Sequence, residues 1–280
     1  MTAIQIRTQS LGDGYGAEGL GQDRARTARV HNYFLHGWDN YPEDRACADD
    51  VQAVFPAISL VALAGHTYAD RVTRYLAGQG VAQFVEVGVG LPVRPFLHEA
   101  AQAAAGGTRV LYLDTDWLSL AYGDTLLTGS RGGVSDCAEA DVRDPDALLA
   151  TVEQHGLIDL GRPVGLFLHS LLEEIPDEQD PHGIVGRLLG ALPSGSFLSL
   201  THGAADLAPG AWAAATDAYL RHGIRIHPRP RKQVARFFDG LDFVAPQLTT
   251  AHRWHPEADR RLGPVTDEQA PLYAGVGRIP

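Results

Sequence analysis

The sequence predicts an α/β protein whose mostly parallel sheet is covered by helices on both faces. From residue 84 onward, short apolar runs alternate with stretches of helical periodicity. This alternation is typical of right-handed βαβ units, and parallel strands joined in this way need helices on both faces. A glycine-rich turn, Gly88-Val89-Gly90, directly follows the first apolar run. Such a turn favours a Rossmann-like sheet with a ligand site at the strand ends.

The part of the chain before the sheet is predicted to be a tail followed by helices. Residues 1–26 are polar and Gly-rich, and we expect a flexible tail there. A first helix is expected to begin with Thr27 as its N-cap and to stop at Gly37. A second should follow Pro42, and a third should begin after Ser59, because their apolar residues recur with helical spacing.

The alternating part of the chain predicts five strands, five helices and a late strand pair. The strands are expected at 84–87, 109–113, 134–137, 164–168 and 197–200, and the helices at 94–105, 116–127, 145–155, 180–190 and 209–222. Two further apolar runs, 241–244 and 273–276, have no long helix between them. We therefore expect them to form an antiparallel pair at one edge of the sheet.

Composition excludes several classes of function. The chain of 280 residues has a formal net charge of −11, which disfavours binding to nucleic acid. No apolar run reaches the roughly 18 residues that cross a bilayer, and no secretory signal is visible. The two cysteines and twelve histidines form no metal-ligand spacing, so no metal site is expected. We expect a cytoplasmic protein that binds neither membranes nor nucleic acid.

The glycine-rich turn predicts a cofactor site. A dinucleotide would need a third glycine at position 93, where the chain has Val93, and Pro92 also occupies the turn. Glu86 lies two residues before Gly88 and would repel a pyrophosphate, whereas it suits a ligand with an amine and a sulfonium. This favours S-adenosyl-L-methionine over NAD. A tight turn that binds nothing is the alternative.

Acidic residues at the ends of the next two strands support an adenosine ligand. Asp114 lies 26 residues beyond Gly88, where a carboxylate can accept hydrogen bonds from both ribose hydroxyls. Asp116 is expected to cap the following helix. Asp141 and Val142 follow the third strand, where they can meet the adenine amino group and ring.

These motifs resemble a known family. Residues 28–45 are similar to the N-terminal signature R-x-Y-D-Y-x-L-G-G-K-D-N-F-x-x-D-R of bacterial S-adenosylmethionine-dependent methyltransferases once catalogued as a domain of unknown function. The resemblance continues, in order, through 86–92, 98–99, 112–116, 141–145, 175–177 and 273–278. Glu86 replaces the usual Asp, and His169-Ser170-Leu171-Leu172-Glu173-Glu174 replaces the usual apolar residues after strand four.

The resemblance implies a class I methyltransferase fold with seven strands, the seventh inserted antiparallel. It also implies that residues 27–80 form a helical lid over a cofactor-binding domain of residues 81–280. Arg29, Tyr33 and Gly37 would then lie near the cofactor. We also assign to the cofactor site residues that adjoin the motifs: Leu91, Pro92, Thr115, His169 and Ser170.

The end of the fourth strand predicts the acceptor side of the site. His169 is the candidate base, and Glu173, four residues later, could orient it if a helix begins between them. His36 is a third candidate, on the lid beside Trp38. His202, at the end of strand five, is a weaker one. Packing roles in the core or on the surface are the alternative for each of them.

The sequence therefore predicts a methyltransferase that acts on a small-molecule acceptor through oxygen or nitrogen. Three alternatives stay open: another reaction of the same cofactor, such as cyclisation or elimination; a catalytically silent binding protein; and an NAD-dependent oxidoreductase. The sequence does not decide the oligomeric state, and a homodimer stays open.

Overall fold

Three helices open the part of the chain that this computed structural model describes, which comprises residues 21–91, 93–116, 119–120, 132–256 and 261–280. They are α1 (Thr27–Phe34), α2 (Pro42–Val54) and α3 (Ile58–Gly78). All three were predicted, but α1 ends at Phe34 instead of Gly37, α3 begins at Ile58 instead of after Ser59, and the N-cap of α1 differs. Arg26 is the N-cap of α1, so Thr27 is the first helical residue instead of the cap.

A mixed sheet forms the centre of the molecule. Its strands are β1 (Gln83–Val87), β2 (Arg109–Asp114), β3 (Val134–Glu139), β4 (Gly165–His169), β5 (Phe197–Gly203), β6 (Asp242–Phe243), β7 (Thr249–Thr250) and β8 (Leu272–Arg278). The order is β3-β2-β1-β4-β5-β8-β6, and β7 pairs with β8. The first five strands are parallel, and β8 runs antiparallel to β5 and β6. The predicted antiparallel pair at the edge is confirmed, and β7 is an additional two-residue strand.

Helices cover both faces of the sheet, as predicted. Those that follow β1 are α4 (Leu97–Ala104), α5 (Pro145–His155), α6 (Pro181–Leu189), α7 (Pro209–Arg221) and α8 (Arg231–Ala235). Successive strand residues belong to two separate apolar cores: Phe84 to the core beneath α3 and α7, and Val85 to the core beneath α5 and α6. Because side chains alternate along a strand, each face of the sheet has its own core.

The third helix belongs to the core of the sheet domain. The Tyr68 hydroxyl bonds the Ser199 hydroxyl at 3.0 Å and the Gly275 carbonyl at 2.9 Å. Arg71 donates to the Trp254 and Ala251 carbonyls at 2.8 and 2.6 Å. Of the predicted lid at 27–80, α3 is therefore bound to the sheet. Among the described residues no single helix could span a bilayer; only α2 and α3 taken together reach the necessary length and apolar content, and they are bent by 107°.

The first two helices are held together by a buried ion pair. Arg29 Nε lies 3.0 Å from Asp44 Oδ2, and both side chains are excluded from solvent. Asp44 also accepts from the Tyr41 amide at 2.8 Å, which caps α2. Two predictions lie outside the described residues: most of the tail at 1–26, and the helix at 116–127 apart from Ser119 and Leu120, which are helical.

Candidate functional site

The turn after β1 adopts a conformation that requires glycine. Gly88 and Gly90 have φ angles of 72° and 62°. In this left-handed region any side chain is disfavoured. A Cβ on Gly88 would lie 2.6 Å from the Leu171 side chain, and one on Gly90 would lie 3.4 Å from the Ala28 side chain. The loop after β4 and the start of α1 therefore close on this turn, where the strand order reverses and open α/β sheets bind ligands.

Asp114 fixes the turn to the end of the neighbouring strand. Its Oδ2 accepts from the Gly90 amide at 2.9 Å, and its Oδ1 accepts from the Asp116 amide at 2.8 Å. Burial is the largest cause of the raised pKa of Asp114. Each carboxylate oxygen has a second lone pair, so Asp114 can still accept two hydroxyl hydrogen bonds.

Glu86 is a half-buried acid without a partner. Its carboxyl makes no hydrogen bond or ion pair with any residue that the structure describes. Burial, and to a lesser degree the Asp114 carboxyl, raise the pKa of Glu86 to about 8. An unpaired acid of this kind suits a ligand that brings a positive charge.

Most of the predicted site residues line one cavity of about 1040 Å³. Those that line it are Glu86, Gly88, Gly90, Leu91, Asp114, Thr115, Asp141, Val142, His169, Ser170 and Glu173. Pro92 lies outside the described residues. The carboxyl ends of β1, β2 and β4 and the segment after β3 thus meet at one site, as the parallel sheet requires.

Four N-terminal residues assigned to the site do not line the cavity: Arg29, Tyr33, His36 and Gly37. The Arg29 side chain is paired with Asp44, the Tyr33 hydroxyl donates to Asp49 at 3.1 Å, and His36 is exposed. Trp38 is 95% exposed. The residues of α1 that do line the cavity are Thr27, Ala28, His31 and Phe34.

A hydrogen-bond chain fixes the proton of His169. The Gly275 carbonyl can only accept, so the single Tyr68 hydroxyl proton goes to it. The Ser199 hydroxyl must then donate to Tyr68, and His169 Nε2 must donate to Ser199 at 2.8 Å. His169 Nδ1 is therefore unprotonated, and within the described structure this buried nitrogen has no partner. Burial lowers the pKa of His169 to about 3.

The predicted pairing of Glu173 with His169 is not made. Glu173 Oε2 accepts from the Gly203 amide at 3.1 Å, and Ser199 orients His169 instead. The pairing required a helix between the two residues, but Ser170 has a left-handed φ of 50° and only a short 3-10 turn follows, Leu172–Glu174. A serine in this conformation is strained, as often occurs at functional sites.

His202, the weaker candidate on β5, lies outside the cavity lining. Its ring is buried and receives a hydrogen bond from Arg229 Nη1 at 3.0 Å. Arg229 also donates to the Leu172 and Ile175 carbonyls, so this cluster braces the loop after β4.

The part of the cavity lined by α7 and the segment after it was not predicted from the sequence. Trp212 and Tyr219 on α7, with Ile224 and Ile226 after it, also line the cavity. We call these four residues the aromatic wall. Trp212 and Tyr219 are seven residues apart and therefore share a helix face, which was the available signal. The same spacing is common in plain core helices, so it does not by itself indicate a site.

The described ranges contain no group of three or more His, Cys, Asp or Glu side chains that could hold a metal ion. The cavity must therefore be interpreted from its carboxylates, its neutral histidine and its glycine turn.

Comparison with known proteins decides the family. A family model described as S-adenosyl methyltransferase matches residues 15–280. The chain belongs to this family. It is an S-adenosylmethionine-dependent methyltransferase, and the expected resemblance is confirmed. No curated protein matches its sequence significantly.

Solved structures agree with the family. The methyltransferase is similar to a DUF574 family protein from Streptomyces avermitilis MA-4680, with 34% identity and a TM-score of 0.89, over 93% of this chain and 100% of that one. A candidate methyltransferase from Thermobifida fusca YX is 28% identical with a TM-score of 0.85, over 95% and 99%. Magnesium protoporphyrin IX methyltransferase from Synechocystis PCC 6803, at 10% identity and a TM-score of 0.54 over 90% and 93%, shares the fold.

The residues present fit S-adenosylmethionine, which supplies an electrophilic methyl group on a sulfonium. The unpaired Glu86 carboxyl suits the cationic amine, and the free lone pairs of Asp114 suit the two ribose hydroxyls. The glycine turn between them lets a ligand approach the backbone closely.

The methyltransferase should be destabilised by ionised Glu86 in the absence of ligand. The pKa of Glu86 rises from 4.5 to about 8 on folding, so the folded state holds the proton more tightly than the unfolded state and stability falls as pH rises between these values. Glu86→Gln should therefore melt at least about 2 °C above the unsubstituted protein at pH 8.5, with a smaller gap at pH 5. Glu153→Gln, exposed on α5, is the control. A difference in melting temperature that is absent or independent of pH would contradict the raised pKa of Glu86.

Asp114→Asn should weaken the binding of S-adenosylhomocysteine at least about tenfold in calorimetry, because a hydrogen bond to a charged group contributes roughly 1.5–3 kcal/mol. Asparagine keeps one oxygen, which can accept from only one of the two backbone amides that Asp114 binds, and its NH2 group faces the other. Glu139, which pairs with Asp114 in the sheet register, is exposed, and Glu139→Gln is the matched control. A dissociation constant within twofold of the unsubstituted protein would place the ribose elsewhere.

Proposed function

We propose that this methyltransferase transfers the methyl group directly and in line to an oxygen or nitrogen of a small molecule. The size of the cavity carries the proposal. Its volume of about 1040 Å³ is at the top of the range of roughly 300–1,000 Å³ that one small ligand occupies. Both the glycine turn and the aromatic wall line it, which leaves room for a cofactor and a second molecule.

His169 supports this proposal as the residue that orients the acceptor. Its pKa of about 3 keeps the ring neutral near pH 7, so it adds no positive charge next to a sulfonium. Its bare Nδ1 can accept a hydrogen bond from an acceptor O–H or N–H group. A base this weak positions the nucleophile better than it removes a proton.

We also propose that a lid covers the cofactor, and that it comprises α1 with residues 21–26 before it. Thr27, Ala28, His31 and Phe34 line the cavity from this helix, whereas α3 is fixed to the sheet. Amides at 27–36 should gain hydrogen-exchange protection when S-adenosylhomocysteine binds, whereas those of α3 should be protected already. Equal protection of 27–36 with and without ligand would show that α1 is simply part of the core.

The function is tested by incubating the protein with S-adenosylmethionine and panels of small amines, phenols, alcohols and carboxylic acids. We expect S-adenosylhomocysteine to be released only when an acceptor is present. Methylthioadenosine would indicate cyclisation or elimination instead. Binding of S-adenosylhomocysteine without turnover of any acceptor would indicate a silent binding protein.

Within the same assay, Ser199→Ala should lower kcat by about tenfold or more, because the protonated Nε2 of His169 loses its acceptor and the ring can turn. The affinity for S-adenosylhomocysteine should stay the same. Ser196→Ala is the control, since Ser196 is equally buried but lies just before β5 and accepts from the Val164 amide instead of from His169. Equal activity of the two variants would remove His169 from the mechanism.

A further inference from the structure

The acceptor side of the cavity holds a carboxylate with no cation beside it. Glu173 lines the cavity and is 9% exposed. Across the described ranges, no Lys, Arg or His forms an ion pair with it. Its carboxyl accepts hydrogen bonds from the Gly203 amide, at Oε2, and from the Ser170 side chain, and both donors are neutral. A buried carboxylate in this state is costly unless a ligand brings the opposite charge.

The nearest arginine does not compensate this charge. The Arg229 guanidinium is occupied by the Leu172 and Ile175 carbonyls at 2.8 and 2.7 Å and by Asp177 at 2.7 Å. Two of the histidines that line the same cavity, His31 and His169, are neutral at pH 7, because burial lowers their pKa values to about 4 and about 3. Four further arginines line the cavity, Arg24, Arg26, Arg143 and Arg225, and in the described structure none of them forms an ion pair with Glu173. No ion pair among the described residues therefore compensates the Glu173 carboxylate.

Aromatic rings adjoin this carboxylate. A Cβ built on Gly203 would lie 2.7 Å from Glu173 Oε2 and 3.0 Å from the six-membered ring of Trp212, so the carboxylate and the indole edge meet at Gly203. Trp212 is held by its Nε1 bond to the Pro271 carbonyl at 3.2 Å and by the edge-on ring of Phe55. The Tyr219 hydroxyl, also on the aromatic wall, has no hydrogen-bond partner in the described part of the chain.

We propose that the methyl acceptor is an amine with an apolar or aromatic body, bound as its ammonium ion by Glu173 beside Trp212. This inference rests on the proposed function. An amine of this kind gains from both groups, because the carboxylate pairs with its ammonium and the indole of Trp212 packs against its apolar or aromatic body. A carboxylic acid acceptor would place a second negative charge against Glu173, and a neutral alcohol would leave that charge unpaired.

In the proposed reaction, a proton transfer to Glu173 precedes the methyl transfer. The ammonium gives one proton to the Glu173 carboxylate, which frees the nitrogen lone pair. The lone pair forms the bond to the methyl carbon while the carbon–sulfur bond breaks, and its electron pair stays on sulfur. The product is a methylated ammonium ion, and Glu173 releases its proton to solvent as the product leaves. Burial raises the pKa of Glu173 to about 7, which suits a group that takes up and releases a proton near neutral pH.

The test uses the full chain saturated with S-adenosylhomocysteine, and measures binding by calorimetry at pH 7.5. The probes are two matched sets: 2-phenylethylamine, 2-phenylethanol and phenylacetate; and tryptamine, tryptophol and indole-3-acetate. We expect each amine to bind at least about tenfold more tightly than its alcohol and carboxylate. Glu173→Gln should abolish this preference, because the amide still accepts from Gly203 but has no charge. Glu178→Gln, on the exposed rim of the same cavity, should retain it.

Failure of this inference is distinct from failure of the proposed function. Alcohols or carboxylates that bind as tightly as the amines, amines that do not bind at all, or a preference that survives Glu173→Gln would each overturn the amine assignment. The comparison of probes on the unsubstituted protein decides the matter even if the variant does not fold. Turnover of phenols, alcohols or carboxylic acids with no turnover of amines would leave the methyltransferase function intact and reject only the amine. Absence of turnover with every acceptor class would reject the proposed function itself.

Discussion

The hydrogen bond from the Gly90 amide to Asp114 Oδ2 is the contact on which the geometry of the site depends. It joins the turn after β1 to the end of β2, and it forms only because Gly88 and Gly90 both take left-handed conformations. Leu171, from the loop after β4, occupies the space that a Cβ on Gly88 would need. A single backbone conformation thus sets the distance between Asp114, the glycine turn and the loop after β4.

The second constraint on the site is a set of acidic side chains that form no ion pair. Burial raises the pKa values of Glu86, Asp114, Glu173 and Glu174, and none of them forms an ion pair in the described part of the chain. Such a site lowers the stability of the free protein. A ligand that brings positive charge relieves this destabilisation when it binds. Under the proposed function, the cationic amine of the cofactor would compensate Glu86, and its ribose hydroxyls would donate to Asp114. The proposed amine acceptor would compensate Glu173, which lies beside Trp212.

A feature of this molecule could be predicted from the sequence when the residues that form it are close together in the chain. The strands, the glycine turn and Asp114 could be predicted because each depends on residues adjacent in sequence. The face that α1 turns to the cavity could not, since it is set by the pairing of Arg29 with Asp44, fifteen residues away. The i, i+4 pairing of His169 with Glu173 failed because Ser170 is left-handed, and a local pattern does not reveal this. Trp212 and Tyr219 reach the cavity only through tertiary packing.

The tautomer of His169 shows how the core of the domain sets the chemistry of the site. Three elements, α3, β5 and β8, supply Tyr68, Ser199 and Gly275, and only their combination forces the proton onto Nε2. The terminal acceptor is a backbone carbonyl, which cannot reverse its role, so the direction of the whole chain is fixed. Because α3 carries Tyr68, this helix cannot move away from the sheet without releasing the imidazole. A lid that opens for substrate must therefore move at α1 and leave α3 in place, which is consistent with the cavity residues that α1 contributes.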